Sequence, residues 1–356
     1  EIFDDMIRLR DQVGKNAGFP NYIGYAYKSN HRFDYDVAAC ERFHQGVQAG
    51  VVPLMRALER ERAGLLNVGD LRPWDLSVDV RGRGPLRPFD GGADLVRRTR
   101  VVFDRLDPRL AAMFSELGSG TSRVNSAAEA GGIRLDLDSR KGKAPGGYQY
   151  MLDRSRVPFI FMNAAGLQRD VETMVHEAGH AFHSMLCIDE PLVEYRRSPT
   201  EFAEVASMSM ELLTMRHWGK GAYYEDDVSL RRAMREQLKR SVTLLPWIAT
   251  IDAFQHWLYA NPSHTRAQRR EFWLSLDERF GSAVSWTGIE SARANLWQRQ
   301  LHLFKSPFYY IEYGIAQLGA LQLWLASLEL GEKTAIQRYV AALSLGGSKP
   351  LPQLFA

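Results

Sequence analysis

The stretch Val175 to His183, VHEAGHAFH, supplies two imidazoles four positions apart, His176 and His180, with the carboxylate of Glu177 directly after the first. On a helix, positions four apart lie one turn above each other on one face. Both rings can then reach a common atom at the roughly 2.0–2.1 Å that a zinc ion requires of a histidine nitrogen. Glu177 stands beside the pair, where it can reach a metal-bound water without ligating the metal. This is the H-E-x-x-H arrangement of a zinc hydrolase. Zinc polarises a scissile carbonyl and brings the pKa of its water down to about 7. Glu177 is then placed to take the proton as general base and pass it to the leaving amine. His183 is different. At about 1.5 Å per residue it lies about 10 Å along the axis from His176, so one ion cannot take both, and it reads as a packing or supporting residue.

A catalytic zinc takes a third protein ligand and keeps one position open. The next stretch, RRSPTEFAEVASMSMELL at 196–213, offers Glu201, Glu204 and Glu211 on one expected helix. Ser198-Pro199-Thr200-Glu201 has the form of a capping box with proline at the first helical position, which gives Glu201 a structural task. Glu204 lies a turn further in, beside Ala203 and Ala206, whose small side chains let a second helix approach. Glu204 is therefore the expected third ligand, with one zinc held by His176, His180 and Glu204. Glu211 falls on nearly the same face and reads either as a hydrogen-bond partner of a ligating histidine or as a buried polar residue.

The elements that must carry these residues are mostly helices. Apolar residues recur at three-and-four spacing over 36–65, where Pro53 should kink or split the helix, and over 91–117, where Asp107-Pro108 restarts it. Helices are also expected over 226–260, with Pro246 inside, and over 264–280, 308–330 and 332–345. Asp170 is the expected N-cap of a zinc-site helix running to Cys187, and the second zinc-site helix is expected over about 199–219. Between about 131 and 163 the pattern changes. IRLDLD alternates, VPFIFMN is a short apolar run, and Lys143-Ala144-Pro145-Gly146-Gly147 lies between them as a turn or flexible loop. A small sheet of two to four strands is expected there, just before the zinc-site helix. Strand 157–163 could present an edge to an extended peptide, with small residues after Asn163 leaving room; it reads equally as the approach to an ordinary strand-to-helix turn.

Composition bounds the rest. The chain has 356 residues, 45% hydrophobic and 24% charged, enough for one large domain or two smaller ones. The net charge of +3 gives no electrostatic case for nucleic acid, and runs such as Arg97-Arg98-Thr99-Arg100 read as solvated faces. No run of about 18 apolar residues predicts a membrane span. Cys40 and Cys187, far apart, allow one long-range disulfide but fit a reducing cytoplasm better.

HEAGHAFHS followed by PTEFAEVASMSMELL resembles the thimet oligopeptidase and oligoendopeptidase F family of zinc metallopeptidases. LRPWDL at 71–76, GKAPGGYQY at 142–150, PFIFMN at 158–163 and HLFKSPFYYIEYGIAQLGALQLW at 302–324 are similar to its oligoendopeptidase F branch. The resemblance implies a mainly α, zincin-type peptidase with one small sheet beside the zinc helix and a deep substrate channel. It implies a single catalytic region over 1–356. It also implies that a family N-terminal helical region, which forms one wall of the channel, and a last C-terminal helix lie outside this chain.

His302, Tyr309, Tyr310 and Tyr313 form a late group, with the tyrosines at i, i+1 and i+4 sharing roughly one side of a predicted helix. Read from spacing, they fit an aromatic core stripe. The resemblance instead implies that they face the zinc. His302 then contacts substrate, Tyr313 stabilises the oxyanion, and Tyr310 or Tyr309 is the second tyrosine. The expected function is a cytoplasmic zinc endopeptidase acting on short peptides. The alternatives are a dipeptidyl carboxypeptidase on the same scaffold and an inactive zinc-containing fragment that binds peptides. The expected partners are short peptides and the absent N-terminal region, with neither nucleic acid nor membrane.

Overall fold

The computed structural model describes residues 1–118, 134–152 and 156–356. The parts of the expected sheet region at 131–133 and 153–155 lie outside the described residues. The first helices are α1 (Ile2–Asn16), α2 (Tyr22–Ser29), α3 (Val37–Gly46), α4 (Val52–Leu66), α5 (Gly91–Leu106) and α6 (Pro108–Glu116). Strands β1 (Leu135–Asp138), β2 (Tyr148–Leu152) and β3 (Val157–Ala164) follow. The chain continues through α7 (Gln168–Leu186), α8 (Thr200–Leu213), α9 (Asp227–Ala260), α10 (Arg266–Phe280) and α11 (Glu290–Ala294). It ends with α12 (His302–Lys305), α13 (Ile311–Glu329), α14 (Glu332–Leu343) and α15 (Leu351–Phe355). The fold is predominantly helical with one small mixed sheet. No described helix is long and apolar enough to cross a membrane.

The expected break at Pro53 takes a specific form. Residues Val47–Val51 are a π-helical segment between α3 and α4, and Pro53 lies at the start of α4. Proline has no N–H to give and crowds the carbonyl four residues back, so the ladder widens there. Pro246, by contrast, is absorbed inside α9, where the Thr250 hydroxyl donates to its carbonyl at 2.8 Å.

Contacts divide the chain into two compact units: Glu1–Gly84 with Lys239–Gly314, and Pro85–Leu238 with Ile315–Ala356. The first is built round buried aromatic rings. Phe254 packs on Trp273 and Trp297 at centroid distances of 5.2 and 5.7 Å. Arg32, fully buried, pairs with Glu312 at 2.6 Å and also donates to the Phe308 carbonyl. Phe308 has φ +63° and its N–H donates to Gln255 Oε1 at 2.6 Å. A left-handed residue directly after Pro307 cannot continue a helix. The helix expected from 308 therefore begins at Ile311, and of the three tyrosines only Tyr313 lies on it.

The second unit holds the sheet and the zinc-motif helix. The strand order is β1-β3-β2, with β3 parallel to β1 and antiparallel to β2. Strand β3 alternates, burying Pro158, Ile160, Met162 and Ala164. On its other face Phe161 stacks on Tyr148 at 4.9 Å. Strand β3 is thus the centre of the sheet, paired on both sides. The expectation that it offers a free edge is wrong: β1 pairs with it from earlier in the chain, and β2 takes an outer position. Lys143, almost wholly buried, pins the intervening turn. Its ammonium donates to the carbonyls of Asp136 and Asp138 at 3.0 and 2.9 Å and to the Asp136 carboxylate at 3.0 Å.

Candidate metal centre

Helix α7 follows β3 directly. Its core stripe, Val171, Met174, Val175, Ala178, Ala181 and Phe182, is fully buried at three-and-four spacing. Phe182 packs edge-on against Phe103 at 5.0 Å. Asp170 is not the N-cap, as expected from sequence. The helix starts at Gln168, and the Asp170 carboxylate reaches back to accept the N–H groups of Ala165 and Leu167 at 2.8 and 2.9 Å. The start has moved one turn earlier because this carboxylate holds the preceding turn.

Helix α8 packs against α7 backbone to backbone. A Cβ on Gly179 would come 2.5 Å from the Ala206 carbonyl oxygen, so only glycine fits at this crossing. The small residues expected to permit close approach are used here on the Ala206 side. The expected capping box does not form. Pro199 stands at the N-cap, α8 has no side-chain cap, and Ser198 Oγ is buried without a partner. Proline at the cap sets the extended backbone that the box would have set.

The crossing brings the donors together. His176 and His180 rings lie 5.0 Å apart, nearly perpendicular. Glu204 Oε2 is 3.4 Å from His176 Nε2 and 3.7 Å from His180 Nε2. One donor atom from each residue lies within 4.8 Å of the other two, so the three could hold a metal ion. Glu201, also buried, is not in this group. His183 is not either; it is buried against Phe202 at 6.1 Å, and burial lowers its pKa to about 3.

Behind the donors, Glu211 Oε1 accepts from His176 Nδ1 at 2.7 Å, and its Oε2 accepts from Gln237 Nε2 at 2.7 Å. A proton on Nδ1 leaves the Nε2 lone pair facing Glu204, the tautomer a metal needs. Burial works against a charged His176, but hydrogen bonds and charges from Glu204 and Glu211 outweigh it and raise its pKa well above the usual value. Burial lowers His180 to about 4, against the pull of Glu204. Burial would raise Glu204, yet His176 and His180 hold it down at about 2. Without a metal the set is thus a carboxylate paired with a protonated His176 beside a neutral His180. A cation would take the place of the His176 Nε2 proton, and the one-carboxylate, two-imidazole donor set that results is the chemistry of a zinc site.

Glu177 is buried beside them with its Oε2 unpartnered. Burial pushes its pKa up to about 7, the His176 charge opposing. Two features near it were missed in the sequence. The Gln149 backbone N–H donates to Glu177, and a Cβ on Gly147 would lie 3.6 Å from Glu177 Oε1. Both belong to GKAPGGYQY, a segment whose tandem glycines signal close backbone approach.

The other expected site residues fall in the first unit. His302 gathers Tyr309, Tyr310 and Tyr313 at ring centroid distances of 5.7, 5.0 and 5.9 Å, and Gln300 holds its Nδ1 at 2.6 Å. Tyr310 is the buried one, and burial raises its pKa to about 12. Tyr309 and Tyr313 are half-buried.

A helical fold with a two-histidine, one-glutamate donor set and an adjacent buried glutamate defines the zinc-metallopeptidase class. Within it, the profile of peptidase family M3 matches residues 121–356, and the chain belongs to that family. It is 25% identical over 205 residues to the oligoendopeptidase F homolog of Borreliella burgdorferi, covering 55% of this chain and 33% of that protein. It is 22% identical over 210 residues to the chromosomal oligoendopeptidase F of Lactococcus lactis subsp. cremoris, covering 59% and 30%. A solved structure of PZ peptidase A with an inhibitor superposes with TM-score 0.88 at 28% identity, covering 99% of this chain and 60% of that one. The chain thus spans about a third of the length of the curated relatives it matches.

Proposed function

We propose that the chain carries the catalytic machinery of a zinc endopeptidase that cleaves internal bonds of short oligopeptides. The observation that carries this reading is the convergence of His176, His180 and Glu204 donor atoms within 4.8 Å beside a buried, unpartnered Glu177 carboxylate oxygen. A zinc ion held by those three residues would supply Lewis acidity toward a peptide carbonyl and toward water. Glu177 accepts the proton of the attacking water and returns it to the departing amine. Burial of the carboxylate, which favours its protonated form, helps it take up that proton. Glu211 fixes the His176 tautomer and ring orientation. His302, Tyr313 and one of Tyr310 or Tyr309 contact the substrate and its developing oxyanion, a role supported by the resemblance and by their clustering.

Strand β2 replaces β3 as the strand that pairs with an extended peptide. It lies at the sheet edge, its backbone touches Glu177 through Gln149, and Tyr148, Tyr150 and Leu152 are exposed along it. Main-chain pairing of this kind suits an unfolded segment and accepts varied side chains.

The test is cleavage of a quenched fluorescent peptide with and without chelator, with mass analysis of the products. Internal cleavage that stops on chelation and returns with zinc supports the reading. Chelator-insensitive cleavage overturns the metal mechanism, and release of C-terminal dipeptides alone overturns the endopeptidase mode. Efficient cutting of casein relative to a short peptide overturns the size restriction.

A further inference from the structure

A second group of metal-binding donors lies in the first unit. Helix α3 carries Cys40 and His44, and α9 carries Asp252 and His256, each pair four apart and so on one helix face. Cys40 Sγ, one ring nitrogen of His256 and one carboxylate oxygen of Asp252 lie within 4.8 Å of one another. Cys40 and Asp252 are buried, and the His256 side chain is 13% exposed. The Tyr27 hydroxyl of α2 sits 3.2 Å from Cys40 Sγ and 2.9 Å from His256 Nε2, making it the nearest fourth donor. His44 Nε2 lies 2.9 Å from Asp252 Oδ2 and holds that carboxylate from behind.

The remaining oxygen, Asp252 Oδ1, is buried without a hydrogen-bond partner. A buried carboxylate oxygen left unpaired is costly and calls for an explanation, an ion among them. One sulfur, one imidazole and one carboxylate form a donor set suited to zinc and similar thiophilic divalent ions. We propose that Cys40, Asp252 and His256, with Tyr27 as fourth donor, form a structural site for such an ion. Binding makes the Cys40 sulfur–metal bond and releases the thiol proton to solvent, and no electron is transferred. The first unit is made of two distant chain segments, with α2 and α3 from one and the relevant half of α9 from the other. The ion ties these segments together.

Sulfur makes the site separable from the α7–α8 donors, which have none. The chain is loaded with cobalt(II) in place of zinc, and metal content is measured alongside the near-ultraviolet spectrum. The expected result is two metals per chain and a thiolate-to-cobalt charge-transfer band. Cys40→Ser should lose one metal and the band. The His176→Ala/His180→Ala double variant should lose the other metal and keep the band. Cys187→Ser is the control; that thiol donates to the Leu343 carbonyl at 3.1 Å, and the band should survive its loss. Absence of the band in the unsubstituted protein overturns the proposal, a reading that needs no variant to fold. Persistence of the band in Cys40→Ser also overturns it.

Discussion

Two pairs of helices bring histidine and carboxylate together in this chain, and they differ in what they leave available. Where α7 crosses α8, the His176 and His180 side chains are 21% and 19% exposed, and Glu177 keeps an unpartnered oxygen beside them. Where α3 meets α9, His44 is 6% exposed and Asp252 is wholly buried. Catalytic metal sites keep an open position and structural ones close theirs. On the function and the second site proposed above, the same residue types serve reaction in one unit and cohesion in the other, and the neighbouring side chains decide which.

The sharpest break in that comparison is Glu177→Gln. The amide keeps the shape of the side chain but cannot take a proton. Turnover on a short peptide should fall by about 10²–10⁴-fold, the usual cost of losing a general base. Metal content should hardly move and the unfolding midpoint should not fall, because a buried carboxylate oxygen without a partner is a cost to the fold rather than a support. Near-normal turnover would remove Glu177 from the mechanism.

Asp252→Ala tests the opposite side. It leaves His44 and His256 facing a buried void where their shared acceptor stood. Stripping one member from a buried charged group costs about 3–5 kcal/mol. The loss should appear as a lower urea midpoint, and a midpoint no lower than that of Glu177→Gln would erase the distinction between the two clusters.

Gly179→Ala probes how the reactive cluster is assembled. The added methyl would meet the Ala206 carbonyl at 2.5 Å, and that oxygen is already held by the Tyr339 hydroxyl at 2.9 Å. Helix α7 must move away from α8, which separates His180 from Glu204. Overpacking of this kind costs about 1–3 kcal/mol. Stability and metal affinity should fall together, as read by thermal unfolding and by competition with a chelator. A stable variant with unchanged affinity would mean the helices have room to spare.

The contrast also explains what the sequence made legible. His176, Glu177 and His180 are contiguous, so one helical turn converts spacing into geometry without knowledge of the fold. Glu204 was within reach because it sits on the next helix beside small residues. Cys40 and Asp252 are separated by most of the chain, and each of their i, i+4 pairs is unremarkable alone. The strands were visible as patterns, but their order was not. Strand β3 became central through pairing with β1 from across the intervening turn, a long-range choice no local pattern encodes. Phe308 shows the same limit. Its carbonyl and N–H are held by Arg32 from the segment after α2 and by Gln255 from α9, both distant in sequence, and its left-handed backbone delays α13 past two of the three tyrosines.

The smallest expected effect is that of Glu211→Gln, and it isolates charge from geometry. The new amide oxygen can still accept from His176 Nδ1. Its amide nitrogen then faces Gln237, whose own oxygen is buried and unpartnered and can turn to accept it. Both hydrogen bonds survive, and only the negative charge behind His176 is lost. That charge raises the basicity of the ligating nitrogen, and loss of such a supporting partner costs about 10–100-fold in metal affinity. Glu211→Gln should fall at the lower end of that range and Glu211→Ala at the upper end. Glu201→Gln, one turn before Glu204 and outside the donor group, should leave affinity unchanged. Zinc competition titrations of the three variants give the ranking. Equal affinities for all three would show that Glu211 is merely a buried neighbour, and a loss confined to Glu201→Gln would mean that the third ligand is Glu201.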